Sequence, residues 1–277
     1  MNGSIELAAS VVVFNQELKQ ERLGIEDVMR ICADCGIQAL EVRDEEWFGL
    51  PPVDVSATEF DEACKRLKLL SSGSDVRLIV ASGASLGEEA DCSRLLRAIT
   101  SAKSLGSPIV RVFLSELAEW QTGENIGRDV IERLEPILEE ANSSGVLLCI
   151  ENTSEPEGSV SRIVDFIDQV ESQLGIVLGM TLDTGNCVMN EEDGSPAQVT
   201  KLAGRRVKYV HLKDVCPDEN SNLRDCAPGS GSVDFPSVFD ELKAGGYCGY
   251  ACFEFDGVGE GLDWLRKALS KTRQYLP

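Results

Sequence analysis

The feature that most constrains the fold is an alternation. Eight short, apolar, β-rich runs recur along the 277-residue chain at intervals of about 30 residues, the size of one strand-plus-helix unit. They are Ile5–Phe14, Ala39–Arg43, Val76–Ala81, Ile109–Phe113, Val146–Glu151, Ile176–Asp183, Val207–Leu212 and Tyr250–Phe255. Most are almost continuously apolar, as parallel strands buried on both faces require. The stretches between them carry helical periodicity and helix punctuation. Ser56 and Glu59 form a capping box ahead of Phe60–Leu70. Asp234-Phe235-Pro236 places proline just inside a helix that runs toward Gly245-Gly246. Further helices are expected at Ile25–Cys35, Cys92–Leu105, Ile126–Asn142, Val160–Val170, Ala197–Leu202 and Leu262–Tyr275, with Gly36, Gly106, Gly145 and Gly204 stopping four of them. Eight strands, each followed by a helix, predict an α/β (β/α)8 TIM barrel built as one domain over residues 1–277. A doubly wound open sheet is the competitor. It is disfavoured because no glycine-rich phosphate loop follows an early strand. Asn190–Gly194 and Cys216–Ser232 read as longer loops.

A barrel of this kind gathers its chemistry at the C-terminal ends of its strands. The fifth run ends in Glu151-Asn152-Thr153, the sixth in Asp183-Thr184-Gly185-Asn186, the seventh in His211-Leu212-Lys213-Asp214, and the eighth in Glu254-Phe255-Asp256. Four successive strands therefore each close on a metal-ligating residue type, and His211 is the only histidine in the chain. These groups meet only if the chain closes into a barrel. One imidazole with three carboxylates is a hard, oxygen-rich donor set. It suits one divalent metal, Mn²⁺ or Mg²⁺ first, with Zn²⁺, Co²⁺ or Fe²⁺ as alternatives, and the lack of a thiolate argues against a structural zinc. The opposing interpretation is four ordinary polar residues at strand ends. A single histidine excludes any mechanism that needs two.

Charge narrows the partners. The chain has 26 Lys+Arg against 47 Asp+Glu, a formal charge of −21, which argues against nucleic acid or an anionic membrane surface as partner. The N-terminal stretch lacks the pattern of a signal peptide, and no apolar run is long enough to cross a bilayer. Ten cysteines are too sparse for a disulfide scaffold. Cys64, Cys149, Cys187, Cys248 and Cys252 lie in apolar stretches where reduced core thiols are expected. Cys32-Ala-Asp-Cys35 is formally a CxxC but has no second pair. The expected compartment is the cytoplasm.

The second half of the chain resembles the xylose-isomerase-like TIM barrel superfamily, the sugar phosphate isomerases and epimerases also called AP endonuclease family 2. The resemblance lies in CIEN with Glu151, TLDTGN with Asp183, YVHLKD with His211 and GYACFEF with Glu254, and in the run from Ala227 to Tyr250. In the first half, Gly36–Arg43 and Gly106–Phe113 are similar to the second and fourth strands. By resemblance to the ketose 3-epimerases, Glu151, Asp183, His211 and Glu254 would hold one divalent metal against two neighbouring oxygens of a sugar. Glu151 and Glu254 would be the catalytic acid–base pair, exchanging a proton through an enediolate. Glu157, Asn186 and Arg224 would contact the substrate; for Glu157 and Arg224 a solvated loop charge is the alternative. Asp214 would support the site or cap its loop. Glu41 and Arg43 would line the pocket, and Arg111 would be a packing residue. Trp47 and Phe48 would wall the sugar or anchor a loop. The implied function is a metal-dependent sugar or sugar phosphate isomerase/epimerase, with homo-oligomers common among such proteins. A metal-dependent lyase or dehydratase on a keto-sugar or inosose, or a non-catalytic sugar-binding barrel, are the alternatives. Thr153, Asn186, Ser82 and Ser85 stand where many relatives carry histidines, and the multi-zinc nuclease branch needs more histidines than this chain has.

Overall fold

The computed structural model describes residues 4–44, 49–50, 55–117, 120, 123–190, 194–255 and 261–275. Eight parallel strands close into a barrel: β1 (Glu6–Ser10), β2 (Ala39–Arg43), β3 (Arg77–Leu86), β4 (Ile109–Leu114), β5 (Leu147–Glu151), β6 (Gly179–Asp183), β7 (Val207–Leu212) and β10 (Tyr250–Phe253). Each pairs with its neighbours in chain order, and β1 closes on β10. The predicted (β/α)8 architecture is thus the observed one. Between β7 and β10, a short antiparallel hairpin, β8 (Asp214–Pro217) and β9 (Leu223–Cys226), occupies part of the segment expected to be a loop.

The first run ends earlier than expected, whereas the third continues past the expected Ala81 to Leu86. The first strand stops at Ser10, and Val11–Phe14 continue as a buried 3-10 turn into the helix Asn15–Lys19. Burial alone could not distinguish this turn from strand, because all four of its residues are buried as strand residues would be. The capping box is present: Ser56 accepts from the Glu59 N–H, Glu59 accepts from the Ser56 N–H, and the helix runs Ala57–Ser74. Cys248 is exposed, contrary to its expected place in the core, while Cys64, Cys149, Cys187 and Cys252 are buried. All ten cysteines are unpaired.

Two cores follow from the two-residue period of a strand. The larger lies between sheet and helices. The smaller fills the barrel itself with Ala8, Ala39, Ile79, Ile109, Cys149, Tyr209 and Cys252. Two residues further along their strands, on the same inward face, stand Ser10, Glu41, Arg111, Glu151, His211 and Glu254, all buried. The barrel is therefore apolar below and polar at its C-terminal mouth.

Candidate metal centre at the mouth of the barrel

Glu151 and Asp183 end β5 and β6, His211 lies next to the end of β7, and Glu254 follows β10 directly. Register sets Asp183 beside His211 and His211 beside Cys252. One donor atom from each of Glu151, Asp183, His211 and Glu254 lies within 4.8 Å of every other. The four residues singled out from sequence are thus brought together. His211 Nδ1 is 2.8 Å from Glu151 Oε1 and 2.7 Å from Glu254 Oε2.

Local chemistry explains the ends of these strands. Asp183 caps the short helix Thr184–Met189, its Oδ1 accepting the Asn186 N–H at 2.8 Å. Asn152 ties β5 to β6 by accepting the Asp183 N–H at 2.8 Å and donating to the Asp183 carbonyl at 3.0 Å. The Thr184 hydroxyl reaches across to β7 and the start of β8, 3.2 Å from the His211 carbonyl and 2.6 Å from that of Lys213. Each donor-bearing strand end is stitched to the next.

Electrostatics in this pocket is strong because nothing dilutes it. Burial pushes the Asp183 carboxyl well above its usual range, with the charges of Glu254 and Glu151 adding to it against Lys213. Burial opposes the charged form of His211, but the carboxylates of Glu254, Glu151 and Glu41 outweigh it and raise the imidazole well above its ordinary value. Burial also works against the Glu254 carboxylate; His211 and Arg43 override it and hold the group well below the usual range. Three carboxylates and one imidazole fit a divalent cation. Asp183 Oδ2 is buried with no hydrogen-bond partner, and buried carboxylates this close repel one another unless a positive charge stands among them.

Three residues from the first half of the chain touch this group more directly than their sequence context suggested. Glu41 Oε2 lies 2.8 Å from His211 Nε2. Arg43 donates to Glu254 Oε1 and, at 3.2 Å, to Glu41 Oε1. Arg111, expected only to pack, sets its Nε 3.0 Å from Glu151 Oε2 and donates to the Ser82 carbonyl at 2.9 Å. The signal that could have found them is the inward two-residue step from Ala39 to Glu41 and from Ile109 to Arg111.

Other expected residues lie apart. Arg224 is exposed on β9. Glu157 sits half-buried in a 3-10 turn, Pro156–Gly158, and its charge acts on Arg162. Asn186 is adjacent, but its amide donates to the Asn152 carbonyl at 2.9 Å, bracing the strand end. Lys213 is buried with its Nζ 3.9 Å from Asp225 Oδ2. Asp214 caps its loop: its carboxylate accepts the N–H groups of Val215, Gly229, Ser230, Gly231 and Val233 at 2.8–3.2 Å. Ser82 and Ser85 are engaged with Asp44 and Asp91. Trp47, Phe48 and Asp256 fall outside the described residues.

The closed barrel and the convergence of side chains at its C-terminal mouth define a (β/α)8 protein with a buried group of residues that could hold a metal ion. The profile of the xylose isomerase-like TIM barrel family matches residues 29–268, and the chain belongs to that family. An inosose dehydratase of Clostridium botulinum (strain Eklund 17B / Type B) is 30% identical over 111 residues, which are 35% of this chain and 36% of that protein. The match therefore spans about a third of that relative's length. The L-ribulose-5-phosphate 3-epimerase UlaE of Escherichia coli O157:H7 (strain EC4115 / EHEC) is 24% identical over 286 residues, covering 92% of this chain and 97% of UlaE. Among solved structures, the IolI protein with a bound zinc atom superposes with a TM-score of 0.72 at 14% identity, covering 98% of both chains.

Proposed function

We propose that this protein is a divalent-metal-dependent isomerase or epimerase acting on a small sugar or sugar phosphate. Glu151, Asp183, His211 and Glu254 would hold the cation. The observation that carries the reading is the convergence of these four buried donors within 4.8 Å, with Asp183 Oδ2 left unpartnered. The full-length similarity to UlaE supports the epimerase class. The oxygen-rich donor set favours Mn²⁺ or Mg²⁺; the zinc in IolI makes Zn²⁺ the alternative. Ten unpaired thiols favour a reducing, cytoplasmic setting. Homo-oligomerisation remains part of the proposal.

Held by Glu151, Asp183, His211 and Glu254, a cation would supply Lewis-acid polarisation of the carbonyl beside the carbon that loses its proton. The protein supplies the rest. Glu151 and Glu254 come from strands separated by β6 and β7, so they flank the Asp183–His211 pair from two sides. One carboxylate removes the proton and the other returns one from the opposite direction. Arg111 and Arg43 hold one oxygen of Glu151 and one of Glu254, leaving the other oxygen of each turned to His211 and the donor cluster. Burial of all four donors keeps water from competing for that carbon.

Turnover of ketoses and ketose phosphates in D₂O, followed by NMR, tests this. The expected result is exchange of one carbon-bound proton with formation of an isomer, and loss of about 10²–10⁴ in rate for Glu151→Gln and for Glu254→Gln. Either variant keeping wild-type turnover would sink the mechanism. The inosose dehydratase match favours one second reading, β-elimination at the same site; it predicts a dehydrated product in the same experiment.

A further inference from the structure

We propose that Glu41, resting on the metal-centre reading above, is a positioning residue that sets the tautomer and ring orientation of His211. A histidine that ligates a cation must present a lone pair on one ring nitrogen and keep its proton on the other. In His211 the two nitrogens face different surroundings. Nδ1 faces the cluster, 2.8 Å from Glu151 and 2.7 Å from Glu254. Nε2 faces away from it, 2.8 Å from Glu41 Oε2. Carboxylates only accept hydrogen bonds and face both nitrogens; with a cation held among Glu151, Asp183 and Glu254 on the Nδ1 side, Glu41 would keep the remaining ring proton on Nε2.

Glu41 is itself immobilised. It is fully buried, Ser10 donates its hydroxyl to Oε1 at 2.8 Å, and Arg43 donates to the same oxygen at 3.2 Å. Arg43 also donates to Glu254, so one guanidinium ties the orienting carboxylate to a proposed ligand. The imidazole plane is fixed from the side by Tyr209, whose ring meets it edge-on at 4.9 Å and 77°. Ser10, Glu41 and Arg43 all come from the first two strands. On this reading they orient a donor set contributed by the last four. The competing role for Glu41 is that of a ligand. Glu41, His211 and Cys252 offer donor atoms within 4.8 Å of one another.

Because His211 is the only histidine, its tautomer can be read without assignment. Tag-free protein labelled with ¹⁵N-histidine would be stripped of metal, reloaded with Zn²⁺ and examined by NMR, alongside Glu41→Gln and Glu41→Ala. Mn²⁺ affinity and stoichiometry would be measured on the same proteins. Wild type should bind one cation with its single imidazole protonated at Nε2. Glu41→Ala should lose that single tautomer and bind Mn²⁺ about 10–100-fold more weakly. Glu41→Gln, whose amide oxygen still accepts from Nε2–H, should keep the tautomer and fall between the two. Unchanged affinity and tautomer in both variants would overturn the proposal and leave Glu41 as barrel filling. Two cations per wild-type chain, with one lost in Glu41→Ala, would overturn it in favour of a ligand role. A wild type that binds no cation would instead remove the metal reading, and this proposal with it.

Discussion

At the scale of single residues, the proposed metal centre implies that the barrel mouth is held in an arrangement that costs stability when no cation is bound. Asp183 is fully buried with one carboxylate oxygen unpartnered. Asp183→Asn keeps the shape and the cap to the Asn186 N–H but removes the charge. At about pH 7 to 8, where burial and the charges of Glu254 and Glu151 oppose ionising Asp183 in the folded chain, the metal-free variant should be more stable than wild type by about 1–3 kcal/mol. Its melting temperature should no longer rise on adding Mn²⁺. A variant less stable than wild type, or one that still responds to Mn²⁺, would contradict the assignment. All four proposed ligands were legible in the sequence because each follows an apolar run. Glu41 and Arg111 were harder to read. They sit inside runs, and only knowledge of which face points inward separates them from packing residues.

At the scale of elements, the segment after β7 is organised by one side chain. Asp214 accepts five backbone N–H groups from Val215 and from the 229–233 turn. A Cβ on Gly231 would come within 2.4 Å of Asp214 Oδ1 and 2.3 Å of the Val215 carbonyl. Hydrogen bonds to a charged group are worth about 1.5–3 kcal/mol each when broken singly. Asp214→Ala should therefore destabilise the chain by about 3 kcal/mol or more in urea melts and open the 227–232 segment to protease. Equal protection in the variant would show that the turn holds without Asp214. Helix boundaries were legible where chemistry marks them, as at Ser56 and Glu59. The hairpin was not: Pro217-Asp218-Glu219-Asn220-Ser221-Asn222 is rich in turn residues, but the flanking strands Asp214–Pro217 and Leu223–Cys226 are too short and too polar to stand out as strands.

For the whole molecule, the buried cluster predicts a pH dependence with a definite sign. Asp183 and His211 both hold protons more tightly folded than unfolded. Their contribution is present in full below the unfolded values, about 4 and 6.5, and is lost as pH rises through the higher folded values. Glu254 and Glu41 are lowered when folded, by His211 and Arg43 acting against burial. Their contribution is present above about 4.3 and is lost only as pH falls through the lower folded values. The metal-free protein should thus be most stable at about pH 4 to 4.5, lose stability above that as the Asp183 contribution goes, and lose it faster above about pH 6.5. It should weaken toward pH 8, where a cation that replaces the protons restores stability. The rise in melting temperature on saturating Mn²⁺ should be larger at pH 8 than at pH 6. Added salt should leave that difference in place, since it screens the −21 surface charge but not the buried pairs. A Mn²⁺ effect independent of pH would refute it. No helix among the described residues is long and apolar enough to cross a membrane.

The sequence by itself determined the alternation of strand and helix, and hence the barrel. Buried parallel strands must be apolar along their length, and capped helices must separate them. It also singled out the four candidate donors, because a polar residue that closes an apolar run stands out. Only the tertiary structure decided which nitrogen of His211 faces the donors and which groups hold their outer atoms. Those contacts join β2 and β4 to β5, β7 and β10 across the barrel interior. They arise from closure and register, and no local pattern in the chain encodes them.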